Sequence, residues 1–243
     1  MNNRTHWLLR VQFLWLLVML AAVLCFRASL LSWRPALMLV AAGVAGLVLT
    51  GFFSLLVLFM LVRSGRRGGG KDCLLAVAVA LPALIGVLVL GMQGAKAPPI
   101  HDITTDMDDP PVFRTAQALR RSGDNGTEYP GMETAERQRQ AYPDIKPLEV
   151  PEPPDEVFAR SLTVAGKLGW RIVAQDREQG LIEAVDRTLI FGFTDDIVIR
   201  VSANSRGSRI DLRSASRAGV SDLGVNAKRI RAFQHTFTSM QAK

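Results

Sequence analysis

The chain has 243 residues, 49% of them hydrophobic, two cysteines and a formal net charge of +7. The charge is unevenly placed: up to Lys96 nine basic residues stand against one acid, Asp72, whereas from Ala97 onward twenty basic residues meet twenty-one acidic ones. No basic domain exists to neutralise phosphates, which excludes nucleic-acid binding, and two cysteines are too few for a disulfide framework or a cysteine-rich zinc site.

Three apolar runs come first. Val11 to Phe26 carries no charge, Pro35 to Val62 gives twenty-eight uncharged residues, and Cys73 to Met92 gives twenty more. A helix rises 1.5 Å per residue, so about 20 apolar residues cross the ~30 Å hydrocarbon core of a bilayer. The runs predict an all-α membrane region over residues 1–95 with spans at 7–28, 36–62 and 73–93, the first lengthened by snorkelling of Arg10 and Arg27. Leu24 stands before Cys25 where a lipoprotein signal needs a small residue, so the first run reads as an anchor and not as a cleaved signal. Arg4, Arg10, Arg63, Arg66, Arg67 and Lys71 fall on one side of this bundle, and Arg27, Arg34 and Lys96 on the other. The positive-inside rule then places the N-terminus in the cytoplasm and everything beyond Met92 outside it.

None of the three cores contains Asp, Glu, Lys, Arg or His, the side chains that build ion and proton pathways, so the spans read as an anchor in membrane lipid. Ala42, Gly46 and Thr50 give the second span a small-residue surface for packing within the chain or for a homo-oligomer. Pro82 predicts a kink in the third. Gly65-Arg-Arg-Gly-Gly-Gly-Lys71 has the spacing of a phosphate-binding loop, but Asp72 follows where a Ser or Thr must hold magnesium, and no strand precedes it. The segment is a short basic turn suited to anionic headgroups.

Residues 96–154 hold ten of the chain's twelve prolines and predict an extended arm with one short helix from Glu133 to Tyr142. Apolar residues such as Ile103, Phe113 and Ile145 are spaced along it, as in a segment that wraps over a folded surface. From residue 155 to 243 the pattern is regular. Val157, Phe158, Leu162, Ala165 and Leu168 follow helical spacing with Gly169 as the stop; strands are predicted at 170–174, 181–185, 196–202 and 209–217; and Ser221 or Asp222 caps a last helix with the stripe Ile230, Phe233, Phe237 and Met240. The expected fold is a two-layer α+β domain, a four-stranded antiparallel sheet with two helices on one face. A turn at Asn204-Ser-Arg-Gly207 pairs Val201 with Ile210, Ile199 with Leu212 and Arg200 with Asp211, matching apolar to apolar and charge to opposite charge.

This register turns Arg200, Arg209, Asp211, Arg213 and Arg217 away from the helices. Such a face suits an anionic ligand or an acidic strip on an envelope protein, unless Asp102, Asp106, Asp108 and Asp109 of the arm lie across it. The residues predict no catalytic site, metal or cofactor. His101 and Asp102 are adjacent and cannot orient one another, Asp195 and Asp196 are strand neighbours facing opposite sides, and the arm's acids lack the glycine and spacing of a calcium loop. Asn125-Gly-Thr127 matches a glycosylation sequon by pattern only.

His101-Asp-Ile-Thr-Thr-Asp106, Asp109-Pro-Pro-Val-Phe113, Tyr142-Pro-Asp-Ile145, Phe191-Gly-Phe193, Asp195-Asp-Ile-Val-Ile-Arg-Val201, Ser208-Arg-Ile-Asp-Leu-Arg-Ser-Ala-Ser-Arg217 and Arg229-Ile-Arg231 resemble the bacterial membrane-bound branch of the domain of unknown function 1499 family. The resemblance covers the whole exported part, and it implies placement without an activity. A cysteine-containing segment of other branches is missing here, so no role tied to it transfers. Residues and resemblance together predict an inner-membrane anchor with a periplasmic binding or accessory domain. Two alternatives stand beside it: a hydrolase-like envelope enzyme using His101, Asp195 or Asp211, and a subunit of a larger transport complex.

Overall fold

A computed structural model describes residues 5–66, 68–94 and 97–241. Arg4, Arg67 and Lys96, three of the charges that set the predicted orientation, lie outside the described residues. The chain divides into two compact units, Met1–Gln93 and Gly94–Lys243.

The first unit consists of α1 (His6–Arg27), α2 (Trp33–Arg63) and α3 (Gly70–Gly94). All three helices are long and apolar enough to cross a membrane, as the uncharged runs predict. Buried Gln12 of α1 ties them together: its Nε2 donates to Leu47 O of α2 at 3.2 Å and to Ala76 O of α3 at 2.8 Å. Small residues of α2 pack inside the unit: a Cβ at Gly43 would meet Met19, one at Gly46 the Trp15 ring, and one at Gly51 Ala80. The Gly46 surface that spacing offers to a second copy is thus occupied by α1. Asp72 sits in the first turn of α3, where a carboxylate complements the helix dipole, and it accepts a 2.7 Å hydrogen bond from Thr5 Oγ1.

The second unit departs from the predicted four strands. Its sheet has six: β1 (Asp102–Thr104), β2 (Leu148–Val150), β3 (Arg171–Asp176), β4 (Leu181–Arg187), β5 (Thr194–Asn204) and β6 (Gly207–Ser216). β3 to β6 form the expected meander, with the predicted hairpin register from Asp195↔Ser216 to Asn204↔Gly207. The two additional strands come from the Pro-rich segment and share the free edge of β6, β1 opposite 213–215 and β2 opposite 208–210. Pro147 and Pro151 confine β2 to three residues, and β1 is as short, which is enough to close an edge and too short to show a period.

Four helices accompany the sheet: α4 (Ala116–Leu119), α5 (Met132–Ala141), α6 (Pro154–Lys167) and α7 (Val225–Gln241). α6 and α7 lie on one face, where Val157, Val164, Ile230 and Phe233 meet Ile182, Ile197, Ile199 and Leu212 in the main core. Trp170 stacks on Phe233 at 5.7 Å between ring centroids, and Phe233 on Phe237 at 6.0 Å. Gly169, with φ +78°, makes the reversal from α6 into β3 that a side-chain-bearing residue would resist. Asp222 starts α7, accepting from Gly224 N at 2.8 Å and Asn226 N at 2.7 Å.

Candidate functional site

The outer face of the sheet, opposite α6 and α7, carries the arginines, and the Pro-rich segment covers it. Phe113 and Ala116 pack there on Val198 and Ala215 in a second small core. Arg213, on an outward position of β6, is 1% exposed. Its guanidinium forks onto Asp102 with Nε–Oδ1 at 3.0 Å and Nη2–Oδ2 at 2.7 Å, and it donates to Pro111 O at 3.1 Å and Thr127 O at 2.8 Å. Its Cζ also lies 4.7 Å from the Phe113 ring centroid and 5.4 Å from that of Tyr129. One side chain thereby fastens three stretches of the segment to the sheet. Burial pushes the Tyr129 hydroxyl up to about 12, with the Asp102 charge adding to the effect, and that buried hydroxyl has no hydrogen-bond partner among the described residues.

The other predicted site residues are engaged in the same way. Arg200 reaches Asp109 at 2.8 Å, Asp211 at 3.1 Å and Asp106 at 3.4 Å. Arg209 reaches Asp106 at 2.7 Å and Asp211 at 3.0 Å, and the Asp211 carboxylate holds its guanidinium still further above its usual range. Arg217 bonds Asp196 at 2.7 Å, and Arg120 of the segment approaches the same carboxylate at 2.9 Å. Glu183 of β4 accepts from the backbone N–H groups of Arg114, Thr115 and Ala116 and so caps the short α4. Arg200, Arg209, Asp211, Arg213 and Arg217 are therefore brought together on one face, with carboxylates of the chain itself between them. Asn125, the sequon residue, spends its side-chain amide on Ser216 O at 3.0 Å and Gly219 O at 2.9 Å.

Alternation along β5 sends Asp195 to the opposite face from Asp196. There Arg229 of α7 bonds Asp195 at 2.7 Å and Asp186 at 2.8 Å. Asn226, one turn earlier, donates to His101 O at 2.9 Å and Ser216 Oγ at 3.0 Å and accepts from Ser214 Oγ at 2.7 Å. Burial raises the carboxyl pKa of Asp222 at the start of this helix, and the Asp195 charge raises it further, against the lowering pull of the two backbone donors. Asp195 and Asp211, two residues of the enzymatic alternative, thus belong to different faces and do not converge. Among the described residues, no group of three or more His, Cys, Asp or Glu is arranged to hold a metal ion.

Arg229 also borders a shallow cleft of about 290 Å³ lined by Leu168, Trp170, Asp186, Val225, Lys228, Arg229 and Ala232. It joins apolar walls to two cations and one carboxylate. Sequence reasoning missed this cleft and the Arg229 network beneath it. The available signal is on α7 itself, where Asn226 and Arg229 continue the buried stripe of Ile230 and Phe233 back by one turn.

A family model described as "Protein of unknown function (DUF1499)" matches residues 102–237, from the first residue of β1 into α7. A search of curated proteins gives no match. The match takes in the β1 edge, the arginine face, the Arg229 network and most of α7, and with more than half of its length covered the chain belongs to the DUF1499 family.

Proposed function

We propose that the chain is a multi-pass protein of the bacterial inner membrane, N-terminus in the cytoplasm, whose periplasmic domain is a binding or accessory module for an envelope partner or an anionic ligand. The carrying observation is how the buried carboxylates are used. Asp102, Asp195, Asp196 and Asp211 are each at most 4% exposed, and each lies against at least one arginine. A general base needs an oxygen within reach of a substrate proton. Carboxylates held by guanidinium forks instead fix the geometry of the surface around them. The cleft between α7 and the β3–β4 edge offers Lys228 at its rim and apolar walls at Trp170 and Val225, a combination suited to a ligand with an anionic head and an apolar body. The three apolar helices support the membrane anchor, and the basic residues between α2 and α3 support the orientation.

Two measurements on the full chain test this reading. Fusions at the C-terminus should give alkaline phosphatase activity and no green fluorescence; the reverse pattern overturns the orientation. A photo-crosslinking residue at Ala232, on the cleft wall, should capture a lipid or envelope protein in intact membranes, and Lys228→Glu should remove the adduct. Capture that Lys228→Glu leaves unchanged, or no adduct at all, rejects the cleft as the binding site.

A further inference from the structure

The hairpin loop between β4 and β5 is apolar where a turn is expected to be polar. It reads Thr188-Leu-Ile-Phe-Gly-Phe193, with Leu189 92% exposed and Ile190 70% exposed. The loop has internal structure: Phe191 and Phe193 stack at 5.1 Å, Thr188 N donates to Phe193 O at 2.9 Å, and Phe193 N donates to Thr188 Oγ1 at 2.9 Å. A built turn that leaves two large aliphatic side chains this exposed forms an apolar patch of the kind that marks an interaction surface.

Strand register shows which end of the sheet carries this loop. The loop follows the pair Arg187↔Thr194; Arg217 N donates to Thr194 O, Asp195 pairs with Ser216, Ser216 N donates to His101 O, and Asp102 pairs with Ala215. Leu189 and Ile190 therefore project from the end at which the chain enters the sheet at β1, about 10 Å away across two inter-strand spacings. Val220, 71% exposed, belongs to the β6–α7 loop at the same end, where Ser221 Oγ donates to Pro98 O and Asp222 N to Ile100 O. Arg171, Arg187 and Lys228 are exposed around this end.

We infer that the 188–193 hairpin loop is a membrane-inserting tip: Leu189 and Ile190 enter the headgroup–acyl boundary of a lipid bilayer, with Val220 beside them and Arg171 and Arg187 on the anionic headgroups. Aliphatic and basic residues in that arrangement are what an interfacial anchor requires. The inference rests on the membrane anchor but is independent of the cleft and its ligand.

The test uses the full chain in liposomes of mixed zwitterionic and anionic lipid, with Cys25 and Cys73 replaced by Ser and single cysteines carrying an environment-sensitive dye. Labels go at Leu189, at Ile190, at Ser205 in the opposite hairpin loop, and at Leu55 of α2 as the control for insertion. The 189 and 190 labels should show blue-shifted emission quenched by lipid doxyl-labelled near the headgroup, while the 205 label keeps aqueous emission without quenching. Aqueous emission at 189 and 190 with a quenched Leu55 label overturns the tip and leaves the anchor standing. An unquenched Leu55 label overturns the anchor and the tip together. Blue-shifted but unquenched labels at 189 and 190, accompanied by crosslinks between copies, assign the tip to a protein contact and also overturn the inference.

Discussion

Arg213 shows how one side chain can hold an entire chain segment. Its partners come from β1, from the turn after Asp109 and from the stretch before Tyr129, and the Phe113 and Tyr129 rings cover its guanidinium. Arg213→Ala leaves Asp102 buried and unpaired, a change that typically costs about 3–5 kcal/mol, and unfolding of the full chain in lipid nanodiscs should show a loss of that size. Tyr129→Phe removes a buried hydroxyl that has no partner, and stability should stay within about 0.5 kcal/mol of the parent or rise. A large loss from Tyr129→Phe, or none from Arg213→Ala, would contradict this account of the covered face. Asp222 gives a pH prediction. Its folded-state carboxyl titrates above the unfolded one, so the folded state binds more protons over that interval. Stability from this group is present below the ordinary carboxylate range and is lost as pH rises through the raised folded value. Asp222→Asn keeps an acceptor for the helix start and cannot ionise, so its stability curve should be flatter across that window; parallel curves would dissociate Asp222 from the effect.

Among the elements, the β5–β6 hairpin is the one that local information determines. Its register depends on a two-residue turn and on alternation in strands joined directly by it, and both can be read from some twenty consecutive residues. The three apolar helices are legible for the same reason, since length and hydropathy are properties of each segment alone. β1 and β2 are different. Each spans three residues, and their pairing with β6 closes over sequence separations that no period reports. Arg213 was hidden by the same non-locality: alternation puts it on an outward face, and only the incoming segment turns that face into an interior. Asp102, Asp106, Asp108 and Asp109 in the segment against four arginines on the face formed the available sign, which fits a covered face and a ligand-binding one equally. β1 is completed in turn by α5. Gln138 accepts from Thr104 N at 3.0 Å and donates to Thr104 O at 2.6 Å, extending the ladder with a side-chain amide. Gln138→Ala should cost about 1–3 kcal/mol by leaving both backbone groups unpaired, and amide exchange at Thr104 should rise; unchanged protection there would show that the clamp is dispensable.

For the molecule as a whole, the division at Gly94 separates a unit of three helices long and apolar enough to cross a membrane from a domain whose sheet has cores on both faces. The Pro-rich segment belongs to that domain's architecture. It supplies two strands, the Phe113 cluster and the carboxylates for Arg200, Arg209 and Arg213. A chain beginning at Ala97 should therefore give a cooperative thermal transition, whereas one beginning at Asp155 should not, because its β6 edge and four arginines would be left open. A cooperative transition from the shorter chain would show that the segment is an accessory layer. The six-stranded sheet, with a core on each face, describes a domain that keeps its polar interior closed.

The Asp102–Arg213 pair also sets a clock. Its two residues are 111 positions apart, and the aspartate is made first. At the usual pace of synthesis the wait between them is on the order of ten seconds. During that interval the newly emerged segment has neither its strand partner nor its counter-charge, so the domain cannot assemble piece by piece behind the last apolar helix. Its fold closes only once β6 arrives and gathers residues that left the ribosome long before.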